Sequence, residues 1–139
     1  MPERVLVVDD EASVRLTLKA FLETQGLIVD VAGNGAEALD LLQRVPLPQV
    51  ILLDLMMPIL SGWQFLDLKA KDARLRDIPV VLATVFDHEG IRLDQVVAML
   101  RKPFDLERLT TELRRAMGGS DSAREIDAEE RRSHAPRSG

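Results

Sequence analysis

The chain has 139 residues, of which 46% are apolar and 29% charged, and its formal net charge is −5 at pH 7. This length predicts one domain with a sizeable hydrophobic core. The acidic balance argues against direct nucleic-acid binding, since neutralising phosphates needs clustered Lys and Arg. The absence of cysteine excludes disulfides, thiolate zinc sites and a cysteine nucleophile. No apolar run is long enough for membrane insertion, and the first residues do not resemble a signal peptide, so a cytoplasmic location is expected.

Apolar runs and helical periodicities alternate along the chain, which predicts strands and helices in strict succession. In chain order the predicted elements are a strand at 4–8, a helix at about 13–25, a strand at about 27–32, a helix at about 36–44, a strand at 49–54, a helix at about 62–72, a strand at 79–84, a short helical segment at about 88–96, a strand at about 98–100 and a last helix capped by Asp105 and ended by Gly118.

The polarity of the strands predicts how they lie in a sheet. The strands at 4–8, 49–54 and 79–84 are apolar on both faces, which is typical of the interior of a parallel sheet. The strand at 27–32 alternates in polarity around Asp30, which indicates an edge. The alternation predicts an α/β, flavodoxin-like (βα)5 fold, whose doubly wound parallel five-stranded sheet has the order 2-1-3-4-5.

The end of the chain differs in composition from the rest. Residues 118–139 are almost devoid of apolar side chains and mix acids with Arg, Ser and Gly. Such a segment cannot bury enough apolar surface to offset the entropy of ordering. We therefore expect a folded domain over residues 1–117 and a disordered, charged tail over 118–139.

Residues able to bind metal or phosphate follow four of the predicted strands. They are Asp9, Asp10, Asp54, Thr84 and Lys102. The carboxyl ends of parallel strands share one rim, and ligands bind where the strand order reverses, here between the first and third strands. The three carboxylates are therefore expected to face each other. Together with a hydroxyl and an ammonium, they predict a divalent-metal and phosphate site.

Five short motifs in this order resemble the receiver domain of two-component response regulators, over about residues 3–117. They are Val7-Val8-Asp9-Asp10-Glu11, Ala32-Gly33-Asn34-Gly35-Ala36-Glu37-Ala38-Leu39, Leu53-Asp54-Leu55-Met56-Met57-Pro58 with Gly62, the Thr84 position, and Lys102-Pro103-Phe104. The resemblance implies a stand-alone response regulator in two-component or phosphorelay signalling. Such a protein is a phosphoacceptor that catalyses its own phosphotransfer and slow dephosphorylation, rather than a conventional enzyme.

The resemblance also implies roles for single residues. Asp54 would accept a phosphoryl group from a sensor histidine kinase or histidine phosphotransfer protein, and a conformational change would then control an unknown downstream protein. The implied magnesium ligands are Asp9, directly or through water, Asp10, Asp54 and the backbone carbonyl of Met56. The implied catalytic residues are Asp54, Thr84 and Lys102, and the Lys102–Pro103 peptide bond would be cis.

Three features depart from the family pattern. Lys102 follows Thr84 by 18 positions, roughly one helical turn fewer than expected. Met99 occupies the strand position that often carries an aromatic switch residue, and a thioether has no hydroxyl to move inward. Val85 follows Thr84 where a small residue is common. These departures leave the partner and the switching mechanism open.

Parts of the sequence also suggest three other functions. Residues 33–38 fit a G-x-G-x-x-A dinucleotide motif, but they follow the edge strand, and the neighbouring Asp9 and Asp10 would repel a pyrophosphate. A haloacid-dehalogenase-type phosphatase needs a second Asp where Met56 stands. A receiver fold that acts as a phosphorylation-independent interaction module stays open, because the segment between Thr84 and Lys102 is short.

Overall fold

A computed structural model describes residues 3–44, 46–55, 57, 59–84 and 95–118. Its elements are β1 (Arg4–Val8), α1 (Ala12–Thr24), β2 (Ile28–Ala32), α2 (Gly35–Arg44), β3 (Val50–Leu53), α3 (Gly62–Ala70), β4 (Val80–Thr84), β5 (Val96–Arg101) and α4 (Leu106–Met117). All strand pairs are parallel, in the order β2-β1-β3-β4-β5. The predicted α/β class, sheet order and edge position of the second strand are confirmed.

The boundaries differ from prediction chiefly before Lys102. The fifth strand begins at Val96, not at about 98, so Val96 does not belong to the predicted helical segment. The part of that segment before residue 95 lies outside the described residues, as does the predicted tail from residue 119. In the described part of the chain, no helix combines the length and apolar character needed to cross a lipid bilayer.

The sheet buries one apolar cluster on each face, because successive side chains of a strand point to opposite sides. One cluster, which includes Leu6 and Leu82, is covered by α2 and α3 through Leu42 and Phe65. The other cluster lies against α1 and α4 and is built from the alternate positions of the same strands. Strands β1, β3 and β4 are buried on both sides almost throughout, as their sequences predict.

Strand β5 contains a bulge, and the residues just before and just after this strand are hydrogen-bonded to β4. Val96 pairs with Val80 whereas Ala98 pairs with Val81, so Val97 is the extra residue. Before the bulge, the amide of Val80 donates to the carbonyl of Gln95 at 2.9 Å. The bulge sends Ala98 to the face covered by α1 and α4, while Val96 lies on the opposite face.

The helix ends contain the residue types that such positions favour. Gly26 has φ = 86°, the left-handed conformation that glycine adopts after a helix end. The carboxylate of Asp105 accepts from the amide of Glu107 at 2.9 Å, as an N-cap should. Helix α3 begins at an unpredicted capping box, in which the side chains of Ser61 and Gln64 each accept from the other's amide.

The start of α3 lies against the backbone that follows β3. The amide of Gly62 donates to the carbonyl of Leu55 at 3.0 Å. A Cβ atom at Gly62 would lie 2.7 Å from the carbonyl oxygen of Asp54 and 2.6 Å from Cα of Leu55, closer than non-bonded atoms approach. Residue 62 is therefore restricted to glycine by contact with the backbone that carries Asp54.

We expect Gly62→Ala to lower the free energy of unfolding by about 1–3 kcal/mol, the usual cost of overpacking a rigid contact. The control is Gly33→Ala, whose methyl group would lie nearest to the side-chain ends of Arg15, at 3.1 Å, and Glu37, at 3.5 Å, rather than to backbone. It should change the unfolding free energy by less than about 1 kcal/mol. Urea denaturation of both variants measures the difference, and equal costs would contradict the proposed restriction at Gly62.

Candidate functional site

The hydrogen-bond ladder of the sheet continues one residue past β1 and β3 and positions two carboxylates. The amide of Asp9 donates to the carbonyl of Ala32 at 3.1 Å, and the amide of Asp54 donates to that of Val8 at 2.9 Å. Both residues therefore keep strand-like anchoring after their strands end. Because β1 and β3 are neighbours at the point where the strand order reverses, Asp9 and Asp54 lie side by side at the carboxyl rim.

Three carboxylates come together at this rim, as the sequence predicts. One carboxylate oxygen from each of Asp9, Asp10 and Asp54 lies within 4.8 Å of the others. Asp9 and Asp54 are only 3% and 7% exposed, whereas Asp10 is exposed to solvent. Like charges at this separation repel strongly where water is excluded, so the group favours binding of a cation. Hard carboxylate oxygens are the ligands that Mg²⁺ and Ca²⁺ prefer, and the donor set fits such an ion.

Within the described residues, Lys102 is a cation that the chain itself supplies to this group. Its Nζ lies 2.6 Å from Oδ2 of Asp9 and 3.4 Å from Oδ2 of Asp54, and its side chain is 16% exposed. Burial by itself lowers the pKa of Lys102, but the hydrogen bond to Asp9 and the charges of Asp9 and Asp54 outweigh it, so the pKa is raised. The Lys102–Pro103 peptide bond is cis, as the resemblance implies.

Asp9 is held by the protein on each of its oxygen atoms. Its Oδ1 accepts from the amide of Glu11 at 2.9 Å, Oδ2 accepts from Lys102, and the backbone carbonyl accepts from Nη1 of Arg15 at 2.7 Å. Asp10, next in the chain, presents its side chain to solvent instead. The two neighbouring acids therefore differ in freedom, with Asp9 fixed and Asp10 open to an incoming ion.

Of the other residues singled out from the sequence, the structure describes Thr84 and Met99. Thr84 ends β4, is fully buried, and its carbonyl accepts from the amide of Lys102 at 2.7 Å. Met99 is partly buried and packs on the face covered by α2 and α3. Met56 and Val85, the first a predicted ligand through its carbonyl, lie outside the described residues.

Sequence reasoning missed two residues that bear on the site. Arg15 holds the carbonyl of Asp9, a contact that no local pattern indicates. Lys69 is completely buried in α3. Its spacing of four from Phe65 and three from Leu66 places it on their buried face, and this signal was present in the sequence.

The architecture is that of an open, doubly wound α/β protein with an acidic, lysine-paired site at its switch point. Residues 5–114 match the model of the response regulator receiver domain. The chain belongs to this family, the receivers of two-component signalling.

Individual relatives agree with this assignment. The chain is 38% identical over 133 residues to response regulator Rre1 of Synechocystis sp., covering 92% of this chain and 57% of the relative. It is 42% identical to response regulator PleD of Caulobacter vibrioides over 110 residues, 76% of this chain and 24% of that protein. The chain spans about half the length of the first curated relatives it matches.

Solved structures show the same fold. Chemotaxis protein CheY4 of Vibrio cholerae superposes with a TM-score of 0.76 at 28% identity, covering 84% of this chain and 99% of the other. The receiver domain of a Francisella response regulator gives a TM-score of 0.69 at 27% identity, covering 83% and 96%. The flavodoxin-like topology predicted from strand polarity is therefore the receiver topology.

We expect Lys102→Met, measured without divalent ions, to lower the free energy of unfolding by about 1–3 kcal/mol, because it leaves buried carboxylates without their cation. The control is Lys71→Met, which removes an exposed ion pair to Asp67 on α3. Exposed pairs of this kind contribute up to about 1 kcal/mol. Urea denaturation in EDTA compares the two variants. Equal stabilities would mean that Asp9 and Asp54 do not depend on the Lys102 charge.

Proposed function

We propose that Asp54 of this chain accepts a phosphoryl group from a phosphohistidine of a sensor histidine kinase or histidine phosphotransfer protein. The observation that carries the proposal is the placement of Lys102 Nζ against Asp9 and Asp54 inside a three-carboxylate group. A carboxylate oxygen of Asp54 forms the new bond to phosphorus, and the P–N bond of the donor breaks with its electron pair returning to the imidazole. The receiver is then a phosphoacceptor that controls a partner protein.

The proposed metal ligands are Asp10 and Asp54 directly, Asp9 directly or through water, and the carbonyl of Met56. The hydrogen bonds that Asp9 already makes through both side-chain oxygens favour the water-mediated role for this residue. Bound Mg²⁺ would neutralise charge on the phosphoryl oxygens during transfer. The chain's own contribution is to hold the acids together and to keep Asp54 fixed on the ladder beside β1.

Lys102 and Thr84 are proposed to bind the phosphoryl group once it is on Asp54. The new group adds negative charge and three acceptor oxygens, which attract the Lys102 ammonium from Asp9 toward residue 54. The Thr84 hydroxyl would donate to another oxygen. A conformational change follows only to the extent that the phosphoryl group binds one arrangement better than the other. The proposed receiver domain covers residues 1–117, with a cytoplasmic location.

The first test is phosphorylation by acetyl phosphate, followed by intact-mass spectrometry. We expect a single phosphoryl adduct that requires Mg²⁺ and is absent from Asp54→Asn. The matched control is Asp30→Asn, which alters an acid on the edge strand β2 that pairs with Arg4 at 2.7 Å, away from the site. A folded protein that gains no adduct would instead support a receiver fold acting as a phosphorylation-independent module. An adduct that persists in Asp54→Asn would refute the assignment of the acceptor.

A second test concerns the metal site. Saturating Mg²⁺ should raise the thermal unfolding midpoint. An ion that binds only the native state, at a concentration 100 times its Kd, adds about 2.7 kcal/mol to the free energy of unfolding. Asp10→Asn should weaken Mg²⁺ binding by about tenfold or more, because an exposed ligand is lost while the fold is little affected. Glu11→Gln is the control, since it neutralises the next exposed acid, which lies outside the carboxylate group. Equal Mg²⁺ responses in the two variants would contradict the role of Asp10.

A further inference from the structure

A lysine is completely buried within α3, although lysines are almost never fully buried. The side chain of Lys69 has no exposed surface. Its Nζ donates to Oε1 of Gln95 at 2.7 Å and to the carbonyl of Arg76 at 3.2 Å. The ammonium therefore joins three parts of the chain: α3, the segment between α3 and β4, and the residue before β5.

Gln95 is held on two sides by these contacts. Its Nε2 donates to the carbonyl of Leu66 in α3 at 2.9 Å, while its own carbonyl accepts from the amide of Val80 at 2.9 Å. The side chain of Gln95 is thus tied to α3 and its backbone to β4. Because Gln95 immediately precedes Val96, these bonds fix the start of β5.

The electrostatics of Lys69 are unusual because the two acceptors of its hydrogen bonds, Oε1 of Gln95 and the carbonyl of Arg76, carry no charge. Burial lowers the pKa of Lys69 to about 8, and the charge of Asp77 opposes this shift. Asp77 lies exposed in the segment between α3 and β4, where Arg76 contributes its carbonyl, and Gln95 is the neutral group at the start of β5. Lys69 is therefore a cation whose charge depends on pH close to neutrality.

The position of β5 matters because Lys102 follows its last residue. A slip of one residue between β4 and β5 would send every side chain of β5 to the other face of the sheet. The bulge at Val97 already shows that this pair can accommodate a register change. Gln95 is held on Val80 ahead of this bulge, so its bonds bear on how the following residues of β5 pair with β4 and hence on where Lys102 lies.

We propose that Lys69 is a positioning residue: through Gln95, its ammonium sets the register of β5 on β4 and thereby places Lys102 against Asp9 and Asp54. The structural part of this inference is independent of phosphorylation. Its consequence for phosphoryl uptake rests on the function proposed above, so the two parts are tested separately.

The structural part is tested by NMR. The chain has four lysines, at positions 19, 69, 71 and 102, and no cysteine or tyrosine, so few other groups titrate between pH 7 and 10. In the wild type we expect the Lys69 side chain to titrate near pH 8 and the amides of β5 and Lys102 to shift with the same midpoint. Lys71→Met removes an exposed lysine of an ion pair with Asp67 and should leave this behaviour unchanged. Lys69→Met should abolish it.

If Lys69→Met does not fold, Gln95→Glu tests the same proposal. A carboxylate facing Lys69 favours the charged amine, so the Lys69 titration and the β5 amide shifts should move together to higher pH. If Lys69 titrates in the wild type while the β5 and Lys102 amides do not respond, the positioning role is overturned. The same conclusion follows if Gln95→Glu moves the Lys69 titration but not the amide shifts.

Stability provides a second readout of the same group. Lys69 releases its proton at lower pH in the folded protein than in the unfolded chain, so between about pH 8 and 10 the unfolded state binds more protons. The urea midpoint of the wild type and of Lys71→Met should therefore rise across this range. The rise should be absent from Lys69→Met. A rise of equal size in all three proteins would show that Lys69 does not titrate there.

The functional part is read from the rate of phosphoryl uptake from acetyl phosphate and Mg²⁺. At pH 7 we expect Lys69→Met to be slower by about tenfold, the usual cost of losing a residue that supports a site, and Lys71→Met to match the wild type. The wild-type rate should fall through pH 8 together with the β5 amide shifts, and this pH step should be absent from Lys69→Met. If the rate of phosphoryl uptake by Lys69→Met equals that of the wild type, the proposed effect of Lys69 on phosphorylation is overturned. Absence of uptake by the wild type instead refutes the proposed function, while the NMR result on register still stands.

Discussion

The site depends on one constraint, the need to match a cluster of buried negative charge with a cation. A buried carboxylate is costly unless a charge or several donors compensate it. Asp9 and Asp54 come from adjacent strands, but Lys102 follows β5, which is separated from β3 by the whole of β4. Neighbouring strands lie about 4.8 Å apart, and β5 is two strand spacings from β3, which precedes Asp54, and three from β1, which precedes Asp9. Small displacements of β5 therefore change the pairing at the site directly.

Lys69 and Lys102 show how the environment decides the charge state of one type of side chain. Lys102 meets carboxylates, which hold its pKa above the usual value, and Lys69 meets mainly carbonyl oxygens, with its pKa lowered to about 8. Lys102 therefore stays charged across physiological pH, whereas the charge of Lys69 depends on the pH. Both lysines act on β5, Lys69 before its first residue and Lys102 after its last. The contact of Lys102, whose charge does not change with pH in this range, and the contact of Lys69, whose charge does change, thus lie at opposite ends of β5.

Much of the fold and of the site was accessible from sequence, because those parts are locally encoded. Apolar strands, polar ends and the alternation of elements are properties of consecutive residues, and they predicted the sheet order and the meeting of Asp9, Asp10 and Asp54. The bulge at Val97 was not predicted, since it depends on how β5 pairs with β4, and the Arg15–Asp9 contact was not predicted, since it depends on how α1 lies against the end of β1. Lys69 was missed for another reason. A lone lysine in a helix is taken as exposed, although its spacing from Phe65 and Leu66 indicates a buried face.

The attachment of β5 at both ends has a consequence for the length of the chain between the last two strands. Gln95 is bonded to Val80 before the strand, and Lys102 to Thr84 after it, so both anchors belong to β4. The connection between Thr84 and Gln95 can gain or lose residues without moving Lys102, whereas an insertion between Gln95 and Lys102 displaces it unless a bulge such as the one at Val97 absorbs the extra residue. The short connection of this chain is therefore compatible with an intact site. A change in chain length before Gln95 should therefore affect the position of Lys102 less than a change after it.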